Sequence, residues 1–171
     1  AFIDKNKKLI TGVIIAAVVV VLAIFGISKL NQSRNEKANN AMFAAEQYFA
    51  QGQYDVALNG NTEHAGFLEV AKQYGCTKAG NRAKYEAALC YMYSNQFAEA
   101  EDMLKSYKGK DKMTPLLKEI NLGNAELEQG NNAAAIKHYE KAIRNAENYE
   151  EILTYAIFLN GMAYYIDGNT A

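Results

Sequence analysis

Proton transfer and metal binding require histidine, cysteine or paired carboxylates held within hydrogen-bond reach of one another. This chain offers two histidines, His64 and His138, and two cysteines, Cys76 and Cys90. His64 follows Glu63, and His138 stands near Lys137 and Glu140 in a segment of helical periodicity, so both read as solvated surface residues. Two histidines so far apart make no metal-ligand cluster. Cys90 sits about nine residues, or roughly 13 Å of rise, inside a helix expected to begin near Asn81, so a bridge to Cys76 would be strained. Both cysteines are expected to act as small apolar fillers. Glu150 and Glu151 read as acidic residues at a helix start, where the macrodipole favours them, and Glu99, Glu101 and Asp102 likewise follow a turn. The glycine-containing stretches have neither the GxxxxGK[ST] nor the GxGxxG order that cradles phosphates. The residue types therefore point away from an enzyme, a metal site and a cofactor, and towards a protein that acts through its surface.

The elements that would carry such a surface follow from composition. Half of the 171 residues are apolar, enough for one compact domain and one further element. The only proline is Pro115, while Ala, Leu, Glu, Lys, Gln and Tyr are plentiful, so an all-α fold is expected. The formal charge is -1 and arginine occurs only at Arg34, Arg82 and Arg144, which excludes the basic footprint of a nucleic-acid binder.

Between Lys8 and Lys29 run twenty residues without a charge, LITGVIIAAVVVVLAIFGIS. At about 1.5 Å per residue they match a hydrocarbon core about 30 Å thick. A strand there would leave its amides unpaired in lipid, whereas a helix satisfies them internally. Residues 1–8 thus read as a short basic flank and 9–28 as a transmembrane helix, with membrane contact through 9–28. A cleaved signal peptide has a shorter apolar region, about 7 to 15 residues, and Gly26-Ile27-Ser28 is a weak cleavage site. A buried core helix of this length would need apolar partners on every face. Lys5, Lys7 and Lys8 crowd one end of the span and Lys29, Arg34 and Lys37 are spread beyond the other. That asymmetry leans towards a cytoplasmic N-terminus, with the soluble part outside the cytoplasm.

From Asn31 to Gln51 the chain has neither Gly nor Pro, so the spanning helix is expected to run on into the first soluble one. Breaks then recur at Gly52, Asn95, Gly130 and Gly168. Each lies seven residues after a small residue, namely Ala45, Ala88, Gly123 and Gly161. After the first three, an alanine follows five residues on, as Ala57, Ala100 and Ala135. Small side chains let two antiparallel helices approach, the turn residue tolerates a left-handed conformation, and Tyr48, Tyr91 and Tyr164 fill the wider gaps. No one hairpin can bury its own apolar face, so neighbours must stack.

This small, aromatic, turn and alanine pattern resembles the tetratricopeptide repeat family of helical hairpins. The unit with Leu122, Gly123, Gly130, Ala135, Tyr139 and Ala142 carries the resemblance best, and next the unit with Ala88, Tyr91, Phe97, Ala100 and Leu104. The first unit departs from it by inserting NGNTEHAG before a second helix, GFLEVAKQYG, and the fourth stops just past its turn, as expected of a truncated chain. The resemblance implies an α-solenoid of about three to four hairpins over residues 29–171. With the anchor, it is also similar to bacterial membrane-anchored tetratricopeptide proteins related to the ancillary subunit of the Sec translocon. It implies an inner-membrane protein with a periplasmic repeat domain, and partners among translocon subunits, chaperones or exported chains.

In the family, the first helix of each hairpin lines a concave binding face. The matching positions here are Met42 and Phe49, then Tyr85, Leu89, Met92 and Tyr93, then Ile120, Asn124 and Leu127, then Phe158, Met162 and Tyr165. Of the Lys/Asn/Arg set that clamps a C-terminal carboxylate in some relatives, only Asn124 fits. Met and aromatic side chains at helical spacing are more often core, so some of these are expected to pack between hairpins; those that stay exposed would suit an amphipathic helix or an unfolded apolar segment. They equally suit a second copy of the chain, in a structural homo-oligomer, and a third reading places the active part in a domain outside these residues.

Overall fold

A computed structural model describes residues 6–168, and every regular element in them is a helix; the only strand-like feature among the described residues is an isolated antiparallel bridge between Gly60 and Ala65. The helices are α1 (Lys7–Ala50), α2 (Tyr54–Asn59), α3 (Phe67–Tyr74), α4 (Lys78–Tyr93), α5 (Phe97–Ser106), α6 (Thr114–Glu128), α7 (Asn132–Asn145) and α8 (Glu150–Ile166). Each packs on its chain neighbours, and α1 also packs on α3 and α4.

The apolar run and the first soluble segment form one helix of 44 residues, α1, because no residue between Gly26 and Gly52 interrupts the backbone ladder. It is long and apolar enough to cross a membrane. From Thr11 to Arg34 every residue is exposed, and from Ala38 onwards Ala38, Met42 and Ala45 turn inwards at helical spacing. They form one core with Ala57, Leu58, Phe67, Val70, Ala83, Ala87 and Cys90.

The four breaks read from the sequence are left-handed turns, with φ of 75° at Gly52, 58° at Asn95, 80° at Gly130 and 75° at Gly168. Glycine adopts this conformation freely, and asparagine is among the few other residues that do. The first three share one closure: the N–H of the next residue donates five residues back, Gln53 to Tyr48 O at 2.9 Å, Gln96 to Tyr91 O at 2.9 Å and Asn131 to Glu126 O at 2.8 Å. Ala57, Ala100 and Ala135 are then wholly buried where the returning helix meets its predecessor. The closest approach lies in the third hairpin, where a Cβ on Gly123 would run into the Tyr139 ring. Gly161, at the matching position of α8, has open space around it.

Helix α4 starts at Lys78, three residues before the expected Asn81. Thr77 caps it, its Oγ1 accepting from the Gly80 N–H at 3.0 Å and donating to the Tyr74 carbonyl at 2.8 Å. Gly80 permits a close approach, since a Cβ there would strike the Tyr74 carbonyl. The inserted loop is ordered by Asn61, whose Oδ1 accepts from the N–H groups of Glu63 and His64 at 2.9 and 2.8 Å.

Helices α1 and α4 run side by side in the same sense. At one end Asn35 Oδ1 accepts from the Ala79 N–H at 2.8 Å, and at the other the rings of Phe49 and Tyr93 lie 5.8 Å apart. Smaller cores continue the stack, through Ala88, Leu104 and Leu122, then Ile120, Ala142 and Ala156, then Ala135, Ile136, Tyr139 and Ala163.

Candidate protein-binding surface

The sequence-derived face divides by burial. Met42 and Ile120 are core residues, 0% and 2% exposed, and no partner can reach them. Their helices are covered on that side by α3 and α4 and by α7 and α8, which makes the two side chains packing residues rather than recognition residues. Phe49, Tyr85, Leu89, Met92, Asn124 and Leu127 are half-buried. Among them Tyr85 packs on the second core and its hydroxyl accepts from Asn121 Nδ2 at 2.8 Å; burial first, then the charge of Glu86, pushes its pKa up to about 12. Asn124 Oδ1 is occupied by the Tyr139 hydroxyl at 2.8 Å, and Leu127 packs on the cluster of Ala135, Ile136 and Tyr139. Tyr93, Phe158, Met162 and Tyr165 are exposed.

Two groups of apolar side chains reach the surface of the helical stack among the described residues. The first is a small aromatic cluster beside the turns at Gly52 and Asn95, where Tyr54 and Tyr93 stack at 4.7 Å and Phe49 sets its edge against both, 5.4 Å from Tyr54. Tyr54 is absent from the sequence-derived set because it follows the turn, on α2, and the family's binding face lies on the helices that lead into turns.

The second surface is the outer side of α8. Tyr155, Ile157, Phe158, Met162, Tyr165 and Ile166 are all exposed there, Phe158 by 61% and Tyr165 by 77%. Two shallow open grooves run along it, one lined by Glu150, Glu151, Thr154, Tyr155 and Phe158, the other by Ile157, Phe158, Gly161, Met162, Tyr165 and Ile166. Only Ala156 and Ala163 of this helix are fully buried, against α6 and α7. Tyr155, Ile157 and Ile166 were missed by the one-stripe reading, although the sequence EEILTYAIFLNGMAYYI, apolar on all sides, carried the signal.

The polar residues singled out for chemistry fall in three settings. His64 is exposed. His138, expected in solvent, is half-buried: its Nδ1 lies 2.8 Å from Glu119 Oε2, and Lys141 Nζ donates to Glu119 Oε1 at 2.7 Å. Burial alone would raise the Glu119 carboxyl, but the hydrogen bonds and charges of His138 and Lys141 outweigh it and hold the group below its ordinary value. This triad ties α7 to α6. Cys90 is a buried filler as expected, with its thiol pushed up to about 12 chiefly by burial and then by Glu86, whereas Cys76 is exposed. Both cysteines are free, and among the described residues no three His, Cys, Asp or Glu side chains gather as a metal site would require. In comparisons with protein-family models, with curated proteins and with solved structures, nothing matches this chain.

Proposed function

We propose that this chain is a membrane-anchored helical scaffold that binds other proteins, held in the bilayer by residues 9–28 and presenting the outer face of α8 to apolar segments of its partners. The observation that carries this reading is the exposure of six large apolar side chains along one helix at the end of the stack, where the other soluble helices expose such side chains only singly, as at Phe43 and Tyr93. Apolar patches of that kind on a folded domain mark interaction surfaces. Met162 and the aromatic rings around it give an adaptable surface suited to amphipathic helices or unfolded segments.

The tetratricopeptide-like reading draws support from the left-handed turns and from the buried Ala45, Ala88, Gly123, Ala57, Ala100 and Ala135. On that resemblance the anchor sits in a bacterial inner membrane with the domain in the periplasm, and the partners are translocon subunits, chaperones or exported chains. The packed Lys5, Lys7 and Lys8 favour the same orientation.

Photoreactive side chains at Phe158 and Tyr165, with Met42 as a buried control, test the reading in native membranes. Adducts with export components or several exported proteins at the two exposed positions, and none at Met42, are the expected result. Adducts with the chain itself would replace it by the self-association reading. Absence of adducts at both exposed positions would remove the binding role of α8.

A further inference from the structure

We infer that the end of the helical stack nearest the anchor is a basic surface that docks on the anionic headgroups of the bilayer. This rests on the reading of residues 9–28 as a transmembrane span.

The geometry begins with α1, which fixes the height of the domain because it is continuous from the span into the first core. The first contacts of the folded part are made by Arg34, whose guanidinium donates to the Gln73 carbonyl at 2.9 Å, and by Asn35, which accepts from Ala79 N–H. These residues stand six and seven positions beyond Ser28, a rise of roughly 10 Å. A headgroup layer takes up roughly 5 to 8 Å of that rise. The turn between α3 and α4 therefore lies just above the headgroups.

A second turn is brought to the same end by Asn81, which donates to the Lys108 carbonyl at 2.8 Å and accepts from the Lys108 N–H at 3.1 Å. The loop between α5 and α6 thus sits beside the start of α4. Together the two turns present Lys72, Lys78, Lys108, Lys110 and Lys112, all exposed, and among the described residues none of the five forms an ion pair. Lys29, Arg34 and Lys37 on α1 add to them. Around these two turns the acidic residues are Glu36, Glu69 and Asp111, and Asp111 is engaged in capping α6 through the N–H groups of Met113 and Thr114 at 2.9 and 2.7 Å; Glu147, Glu150 and Glu151 stand at the same end but at the α7–α8 turn, beyond the two lysine-bearing turns.

The other end of the same hairpins has the opposite sign. Asp55, Glu99, Glu101, Asp102, Glu126 and Glu128 flank the turns at Gly52, Asn95 and Gly130. No lysine or arginine lies in 40–60, 86–104 or 119–136. From α1 to α6 charge is thus sorted along the axis that α1 sets, although the net charge is only -1. The basic end lies within about one Debye length of the lipid surface at physiological salt, roughly 8 Å, where attraction to anionic headgroups is felt. Extended lysine side chains cover the remaining distance. The consequence is a domain seated on the membrane with its aromatic and acidic turns pointing away.

Cys76 gives the test its probe, since it lies exposed in the α3–α4 turn while Cys90 is buried. The full chain carrying a fluorophore on Cys76 is placed in vesicles containing a little headgroup spin-labelled lipid. One set is otherwise phosphatidylcholine, and in the other about a third is phosphatidylglycerol. Flotation after an alkaline wash is read first. A chain left behind by that wash overturns the spanning reading and the docking with it. For a chain that floats, quenching several-fold stronger in the anionic vesicles is expected, relieved by high salt and by the combined variant K72E/K78E/K108E/K110E/K112E. Those five positions are exposed, and an unchanged helical circular-dichroism spectrum and melting curve verify that the variant is folded. Equal quenching in the two lipids, or quenching unmoved by the variant, overturns docking and leaves the anchor standing.

Discussion

On the proposed membrane reading, the two halves of α1 are one helix in two solvents. Residues 11–34 are all exposed, and from Val13 to Ile27, including Val18 to Leu22 and Ile24, Phe25 and Ile27, the aliphatic character goes all the way round. Residues 35–50 keep a single inward stripe, Ala38, Met42 and Ala45, which α2, α3 and α4 cover. The apolar side chains from Val13 to Ile27 are exposed in a helix long and apolar enough to cross a membrane; the second half is covered by protein on one side only. Mean helix propensity cannot separate them, because both are helical. The angular spread of apolar side chains does.

The difference can be broken most violently from the lipid side. Val19→Arg with Val20→Arg should disfavour insertion by about 6 kcal/mol in total. The variant is expected to leave the membrane fraction while the melting of the helical stack stays unchanged, as read by flotation and by circular dichroism. From the protein side, adjacent positions give the sharpest contrast, since Met42 is 0% and Phe43 65% exposed. Met42→Ala should cost about 2 to 5 kcal/mol of folding stability, and Phe43→Ala less than about 0.5 kcal/mol, in denaturant titration.

Glycines refine the comparison. Gly12 and Gly26 in the first half have nothing within 4 Å of an added Cβ, whereas Gly80 and Gly123 in the stack would drive one into Tyr74 and Tyr139. Gly12→Ala and Gly26→Ala are expected to leave melting and flotation unchanged. Gly80→Ala and Gly123→Ala should each destabilise by about 1 to 3 kcal/mol, lowering the melting temperature by several degrees.

The smallest effect depends on pH. The Glu119 carboxyl is held below its ordinary value by His138 and Lys141 against its own burial, so its contribution to stability is complete above the unfolded carboxylate pKa. It is lost as pH falls through the lower, folded value. Glu119→Gln should therefore flatten the acid limb of the stability profile below about pH 4.5 and lower stability at neutral pH, as read by melting temperature against pH. An unchanged acid limb would show that the triad does not couple α6 to α7.

How far the chain could be read without coordinates depended on how local each signal was. Gly52, Asn95, Gly130 and Gly168 were legible because a left-handed turn admits few residue types, and the unbroken Asn31–Gln51 stretch announced the continuous α1. The all-helical class followed from the same local signals. Met42 and Ile120 were misplaced because which side of a helix is covered depends on elements far along the chain: Phe67 and Val70 close over Met42, and Ala156 over Ile120. The Glu119–His138 pair joins residues 19 apart on two helices and leaves no trace in either segment alone. The α4 start lies earlier than the expected Asn81 because Thr77 caps the helix, its Oγ1 accepting from the Gly80 N–H. The uncovered α8 face was half legible: Phe158, Met162 and Tyr165 lay on the expected stripe, while Tyr155, Ile157 and Ile166 became apparent only when nothing was found packed over them.

The most direct test of one helix in two solvents is amide hydrogen exchange of the full chain in lipid vesicles, resolved along α1. Residues 11–28 should stay unexchanged for hours under lipid and 35–49 should be protected to the level of the domain's global unfolding, with faster exchange at 29–34 between them. Exchange of residues 11–28 as fast as that of 29–34 would contradict the account, because the first half of α1 would then lie in water.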